Sequence, residues 1–476
     1  MSRSKIAALA LGALLAWSGQ SAFAQMEGRG TATDLEAAEG SYEEQGTARL
    51  EESATEADRR PLDLRGAVAL SIRNNLQVEV ERYEPLIAET DAQGAWGAYD
   101  PTISADMKYD VQKVPNVFTL DTVETSRDRE LGGGVGLQQL VPYLGATLDF
   151  RFDTSDTATR STFQQLDPQY DSSFFMTATV PLARNLIWNQ PWTQVKISGI
   201  GYTRSLETFR TSLMDIVQET ADRYWELVAA RDQVRVAEKS LETALALLDQ
   251  TQTQYEVGVV SKVDVVEAEA GVASREFDLI VESNRYRNVQ DQLIETVLGT
   301  ELSALTDWQF MPTDDPEAYE VRDVDVSRAV ETAFRKRPEL EEVDQSIEQN
   351  EVDLKFAKNQ RLPQLDAEVR YGYVGISGDG NDKLNPNFGE PQDRGSWASS
   401  REDWFTGDGA ENVRVMGTFS IPFPNTTARK RVVKSQLELR RSKTRRVQLE
   451  QSIILEVRTA ARTLVASAEG IEAAER

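Results

Sequence analysis

The sequence predicts an α+β protein in which long helices carry strands of membrane-crossing length, the whole arranged as an internal repeat. Three observations predict it. Residues 192–299 read as helix, turn and returning helix; four runs before them alternate apolar and polar residues; and a shift of 262 residues overlays the second half of the chain on the first.

The long helical stretch comes first because it is the plainest. From Leu213, apolar residues recur in steps of three and four: Val217, Ala221, Tyr224, Val228, Val234, Ala237, Leu241, Leu245, Leu248 and Tyr255. That spacing keeps them on one stripe of a helix. The run 192–257 contains no Pro, and Gly258 suits the left-handed position that closes a helix. Ser261 and Asp264 have capping-box spacing, so a second helix is expected to start at Lys262. It carries Val265, Ala268, Val272, Leu279, Leu293 and Val297, and stops at Leu298-Gly299. At ~1.5 Å per residue the first of these helices spans roughly 100 Å, far beyond an ordinary globular helix. Such a helix is a coiled coil, a strut or the wall of a tube.

Composition excludes much chemistry. The 476 residues include no Cys and no His, and the net charge is −26. A disulfide framework, a thiol nucleophile, a Ser-His-Asp triad and most zinc or haem sites are therefore excluded, and no cofactor is expected. The acidic balance argues against nucleic acid as a partner.

At the N-terminus, Arg3 and Lys5 precede the apolar run 6–17, and Ala22-Phe23-Ala24 has the small-x-small form of a cleavage site. This reads as a signal peptide over 1–24. No Cys follows it, so no lipid anchor is expected there. Residues 25–60 are Glu-, Ala-, Ser-, Thr- and Gly-rich and read as a disordered acidic leader. No later segment has the ~18 apolar residues of a membrane helix. The mature chain is thus soluble, or crosses a membrane as strands.

Residues 62–98 read as the first helix, bent at Pro85 and ended by Tyr99-Asp100-Pro101. The period then changes to two: Ile103, Ala105, Met107 and Tyr109 alternate with polar residues. Val135 and Leu137 belong to a second run, Leu148, Phe150 and Phe152 to a third, and Phe174, Met176, Ala178, Val180 and Leu182 to a fourth. A hairpin is expected near Tyr143-Leu144-Gly145. Strands of about ten residues suit a tilted crossing of a bilayer, although one alone would suit a soluble, half-buried sheet better. The repeat weighs toward the barrel. With the 262-residue shift, Ala95 falls on Ala357, Pro101 on Pro363, Ile103 on Leu365, Ala105 on Ala367 and Tyr109 on Tyr371. After a polar loop at 374–412, residues 413–423 alternate again, and Ile421-Pro422-Phe423 echoes Val180-Pro181-Leu182. Helix, strand, loop, strand, long helix is the unit, and it occurs twice. The helices 62–98 and 262–298 are 37 residues each, so end to end they match the 66 residues of 192–257.

The motifs in this order resemble the outer-membrane efflux protein family, the TolC-like exit ducts of tripartite pumps and type I secretion. The residues that carry the resemblance are Leu64-Arg65-Gly66-Ala67-Val68, Asn74-Asn75-Leu76, and Ala95-Trp96-Gly97-Ala98-Tyr99-Asp100-Pro101. Tyr255-Glu256-Val257-Gly258-Val259-Val260-Ser261-Lys262 is similar to the hairpin tip, and Arg337-Pro338-Glu339-Leu340 and Arg361-Leu362-Pro363 mark the second copy. The resemblance covers residue 62 to the C-terminus. It implies a homotrimer with one shared β-barrel and one periplasmic helical tunnel, working with a periplasmic adaptor and an inner-membrane transporter. It further implies that the adaptor docks at the tip, through Tyr255, Val257, Gly258, Val259, Val260, Ser261 and Lys262. The efflux-protein repeats are expected at 61–323 and 324–476. Two departures stand out: four strands in the first repeat where two are usual, and a chain that ends at Arg476 inside the second long helix. Because Pro181 and Pro422 lie 241 residues apart, the counterpart of Gly258 is expected near position 499, so the second repeat is expected to be incomplete.

Asp264 and Glu267, with Glu269, read either as an acidic ring in the tunnel or as a capped, solvated helix start. Arg429-Lys430-Arg431, Lys434, Arg440-Arg441, Lys443 and Arg445-Arg446 read as a solvated helix face or a basic band below the membrane. Trp397, Trp404, Phe405, Tyr371 and Tyr373 read as an interfacial girdle or as ordinary cross-strand partners. The expected function is a passive duct in the outer membrane, with its helical part in the periplasm. The alternative is a periplasmic coiled-coil scaffold or adaptor whose strands form a soluble sheet; a hydrolase using carboxylates alone is a third.

Overall fold

A computed structural model describes residues 58–115, 125–159, 164–299, 302, 308–318, 324–384, 386, 392, 395–406 and 410–476. The expected signal peptide and all of the expected leader except 58–60 lie outside the described residues. The chain divides into two compact units that cut across the repeat: Met1–Leu70 with Asp222–Asp314, and Ser71–Ala221 with Asp315–Arg476.

In the first unit, β1 (Asp58–Leu62) pairs in parallel with β6 (Trp308–Pro312), Asp58 opposite Trp308 and Leu62 opposite Pro312. Neither strand was expected, and 58–60 leave the leader for β1. The ladder packs on a helical hairpin. Helix α3 (Gln190–Glu256) contributes Tyr224, Leu227, Val228 and Ala230, and α4 (Lys262–Leu298) returns Val289, Leu293, Ile294, Val297 and Leu298. With Leu62, Ala67 and Phe310 these make a continuous buried cluster. The bounds of both helices fall within two residues of those read from the sequence.

The second unit holds a six-stranded sheet in the order β2-β3-β4-β5-β7-β8, every pair antiparallel. Its strands are β2 (Thr102–Pro115), β3 (Thr125–Leu140), β4 (Thr147–Ala158), β5 (Leu166–Pro181), β7 (Gln364–Gly380) and β8 (Ala410–Ser420). The strands β2, β3, β4 and β7 contain their expected runs and are longer than the apolar core of those runs suggests, whereas β5 stops at Pro181, one residue short of Leu182, and β8 stops at Ser420, short of the expected 423. The loop expected to begin at residue 374 therefore begins at Asn381. The additional pair β3–β4 stands inside the sheet, between β2 and β5, joined by a turn in which Tyr143 and Gly145 have φ of 64° and 63°.

Two further corrections concern helices. The segment expected to bend at Pro85 instead divides at Asn75, into α1 (Leu64–Asn74) and α2 (Leu76–Gly94), followed by a 3-10 turn at Ala95–Tyr99. The Asn75 side chain accepts hydrogen bonds from the backbone N–H groups of Gln77 and Val78, an N-cap that starts α2 afresh. Pro85 is buried inside α2, which continues past it. The second copy divides at the equivalent place by a different device: α5 (Val326–Lys336) ends at Arg337, and Pro338 opens α6 (Pro338–Gln360) at its first turn. The polar loop after β7 also contains a helix, α7 (Trp397–Thr406).

Helix α8 (Thr426–Glu475) runs antiparallel to α6. Arg337 pairs bidentately with Glu456 at 2.8 and 2.6 Å, Arg446 meets Asp344 at 2.6 Å, and Asn350 donates to Ser442 at 2.8 Å. On its other side α6 meets the part of α3 in this unit, through Arg204–Gln349 at 3.2 Å and Thr211–Glu342 at 2.9 Å. The expected solvated basic face on α8 is thus in part an ion-paired one.

Candidate functional site

Two surfaces of the described residues expose apolar side chains in groups. The first is the hairpin tip. Gly258 has φ of +83°, a backbone that a side chain with a Cβ adopts only under strain, though nothing stands within 4 Å of where a Cβ would sit. Gly258 N donates to Tyr255 O at 2.9 Å and Val259 N to Gln254 O at 2.9 Å, which closes the end of α3. Ser261 then starts α4 with a full capping box: Ser261 N donates to Asp264 Oδ2 at 2.7 Å and Asp264 N to Ser261 Oγ at 3.4 Å. The bonds from Ser261 hold the Asp264 carboxyl below its usual range. Asp264 thereby serves the cap expected of it, while Glu267 is exposed on the next turn.

The tip residues form one short segment with apolar side chains turned outward. Val257, Val259 and Val263 are each at least 70% exposed, with Tyr255 and Val266 half-exposed beside them. Val260 is partly covered, and Ser261 and Lys262 are exposed. Isolated exposed apolar residues are ordinary, whereas here several stand together at the end of a long hairpin.

The second surface is the sheet, whose period-two pattern separates two faces. On one face, row by row, lie Ala105, Val135, Phe152, Phe174 and Tyr373, then Ile103, Leu137, Phe150, Met176, Tyr371 and Val413. On the other lie Thr102, Gln138, Asp149, Thr177, Arg370 and Arg414, then Ser104, Gly136, Arg151, Phe175, Gly372 and Asn412. The polar face is cross-linked. Lys108 meets Glu130 at 2.7 Å, and Gln138 donates to Asp149 at 2.9 Å. Arg151 contacts Asp153 at 2.8 Å and reaches across β3 to Asp106 at 2.6 Å. Glycines on β3 make that reach possible. A Cβ at Gly134 would stand 2.8 Å from the Arg151 guanidinium and closer still to the Asp153 carboxylate, so glycine here leaves room for the Arg151 side chain as it lies across the strand.

Helix α7 covers the end of the apolar face. Trp404 packs on Phe152 and Phe174 with ring centroids 5.6 and 6.2 Å apart, and Trp397 on Tyr170 at 6.0 Å. Ser400 Oγ donates to Ser172 Oγ at 2.9 Å, and Gly375 leaves no room for a side chain beneath Ser400. Tyr371 and Tyr373 are neighbours on the same face, with hydroxyls 2.6 Å apart. The aromatic residues singled out in the sequence thus meet on one face of the sheet; the Phe405 side chain lies outside the described residues. Sequence reasoning missed α7, since ten residues of mixed polarity carry no clear helical stripe.

It also missed the anchor of the first unit. Tyr224 is fully buried, and its hydroxyl donates to Asp314 Oδ2 at 2.6 Å with the Leu62 carbonyl at 3.0 Å. Burial and the Asp314 bond push the phenol up to about 12. The same hydroxyl, together with Leu64 N at 2.7 Å, holds the Asp314 carboxyl below its usual range. In the sequence Tyr224 is one stripe residue among ten; its partner lies 90 residues away and leaves no local signal.

Residues 134–299 match the model of the outer membrane efflux protein family. No curated protein matches the chain. Among solved structures, the outer-membrane channel OprN is similar over 86% of this chain and 75% of its own, with a TM-score of 0.55 at 14% identity. The Campylobacter jejuni CmeC outer membrane channel is similar over 86% of this chain and 73% of its own, with a TM-score of 0.54 at 13% identity. The outer membrane protein VceC from Vibrio cholerae is similar over 86% and 80%, with a TM-score of 0.51 at 10% identity. At these identities the likeness is one of fold. The matched family is one of outer-membrane channels, not of enzymes.

Proposed function

We propose that this chain, which carries an outer membrane efflux protein domain over 134–299, is a passive exit duct. It stands in the outer membrane as a homotrimer, with its helices in the periplasm. Substrate and energy come from an inner-membrane transporter through a periplasmic adaptor, and no residue of the duct performs chemistry. The adaptor docks at the tip, where Tyr255, Val257, Val259, Val260 and Lys262 meet a helical hairpin of the partner by side-chain interdigitation. Gly258 and Ser261 shape that tip, and Asp264 and Glu267 contribute acidic groups next to it.

The observation that carries this reading is the two-faced sheet. An antiparallel sheet with an exposed apolar face and a charge-laddered opposite face suits lipid on one side and water on the other. A soluble scaffold has no use for Met107 at 81% exposure and Val415 at 76%. Topology tests it. An epitope inserted in 116–124, between β2 and β3, should be reached by antibody on intact cells. Reaction only after the outer membrane is permeabilised would overturn the reading in favour of a periplasmic scaffold.

A further inference from the structure

Among the described residues the sheet ends in two unpaired edge strands, β2 and β8, and they are complementary. Six strands alternate in direction, so β2 at one end and β8 at the other run antiparallel to each other. Both edges carry the same division of faces: Ile103, Ala105, Met107, Tyr109 and Val111 share a face on β2, and Val413, Val415 and Phe419 share it on β8. An edge of this kind is a template for another strand.

The strand ends are staggered in one sense. Below the row of Thr102, β3 extends two residues further, to Leu140; β5 extends two beyond β4, to Pro181; and β7 two beyond β5, to Gln364, level with Ser420. One more step of two residues at the joint would set Ser420 of one copy opposite Ser104 of the next. All eleven residues of β8 then face a residue of β2. In this register Arg414 stands opposite Asp110 and Glu411 opposite Lys113, while Val415 faces Tyr109 and Val413 faces Val111. A shift of one residue would turn the apolar side chains to the wrong face. A shift of two the other way sets Arg414 against Lys108, a like-charge pair. The chosen register staggers the wall by eight residues over six strands. At ~3.3 Å along and ~4.8 Å across, that inclines the strands by about 42°, within the ~35–45° of closed barrels.

We infer that β8 of one copy pairs with β2 of the next in this register, and that the inserted β3–β4 pair stands in the barrel wall beside the other four strands. The strand count rests on the three-copy reading proposed above: six strands from each of three copies make an eighteen-stranded barrel. Diameter grows roughly in proportion to strand number, so the insertion widens the barrel by about half, into the range that encloses an open aqueous channel. The additional wall brings Arg151, Asp149, Asp153 and Glu130 to the lumen.

The chain has no Cys, so introduced pairs report alone. Full-length protein carrying Ser104→Cys with Ser420→Cys, or Ala105→Cys with Phe419→Cys, is oxidised in outer membranes and separated under denaturing, non-reducing conditions. Both should convert monomer into a ladder ending at three chains. Thr102→Cys with Arg414→Cys, which an unstaggered joint would bring together, should stay monomeric, because the register separates them by roughly 26 Å. A ladder from that pair, or from none while the protein still purifies as a detergent-solubilised trimer, overturns the joint and leaves the duct reading standing. A detergent-independent monomer overturns both. For the insertion, Ser155→Cys should react with a water-soluble maleimide in membranes and Phe150→Cys should not. Equal labelling of the two removes β3–β4 from the wall.

Discussion

The cluster around Tyr224 and the six-stranded sheet spend their apolar residues in opposite ways. In the first unit Tyr224, Leu227, Leu293, Val297 and Leu298 are wholly buried among one another. In the sheet, Ile103, Met107, Tyr109, Val413, Val415 and Phe419 stand well exposed among the described residues. The difference teaches that the first unit carries its stability within the chain, whereas the duct reading proposed above leaves the apolar face of the sheet to be covered by lipid.

Core truncation should expose that contrast most sharply. Leu293→Ala is expected to cost about 2–5 kcal/mol, because a buried side chain leaves a cavity, while Met107→Ala should cost well under half as much in detergent. Denaturant melts of the two variants check this; equal losses would break the comparison.

Tyr224 gives the next effect. Its phenol is raised to about 12 by burial and by Asp314, so the protonated form is the stabilised one. That contribution is full below pH ~10 and lost as pH rises from ~10 to ~12. The Asp314 carboxyl, held low by the same bond, contributes above pH ~4 and loses its contribution as pH falls through its lowered value. Tyr224→Phe should lower the melting temperature at neutral pH and flatten its fall between pH 10 and 12. Unfolding followed by tryptophan fluorescence across that range measures it, and an unchanged alkaline profile would remove Tyr224 from the anchor.

Smaller effects are expected at the tip, where little is buried. Gly258→Val places a β-branched residue at φ of +83°, a strain of about 1–2 kcal/mol, with free space for the side chain itself. Adaptor cross-linking at Val259 should fall while the core melts as before. Ser261→Ala should do least: hydrogen exchange should quicken in the first turn of α4, with the melting temperature unchanged. A global loss of stability in either variant would mean that the tip supports the fold and is not an independent contact surface.

The sequence by itself determined whatever is signalled within a few residues. Gly258 marked the end of α3, and the Ser261–Asp264 box marked the start of α4, because caps and helical stripes are local. Alternation gave the strands and their faces for the same reason, and the 262-residue shift paired the two copies. Only the tertiary structure decided the rest. The ladder of β1 with β6 joins segments 250 residues apart, each five residues long and without a distinguishing period. The place of β3–β4 inside the sheet is a choice of hydrogen-bonding neighbours, which alternation does not record. Pro85 and Asn75 compete to end the same helix, and Asn75 prevails because its side chain caps the next one while the buried Pro85 is carried within it. Partners distant in the chain, such as Tyr224 with Asp314 and Arg337 with Glu456, exist only once the chain has folded.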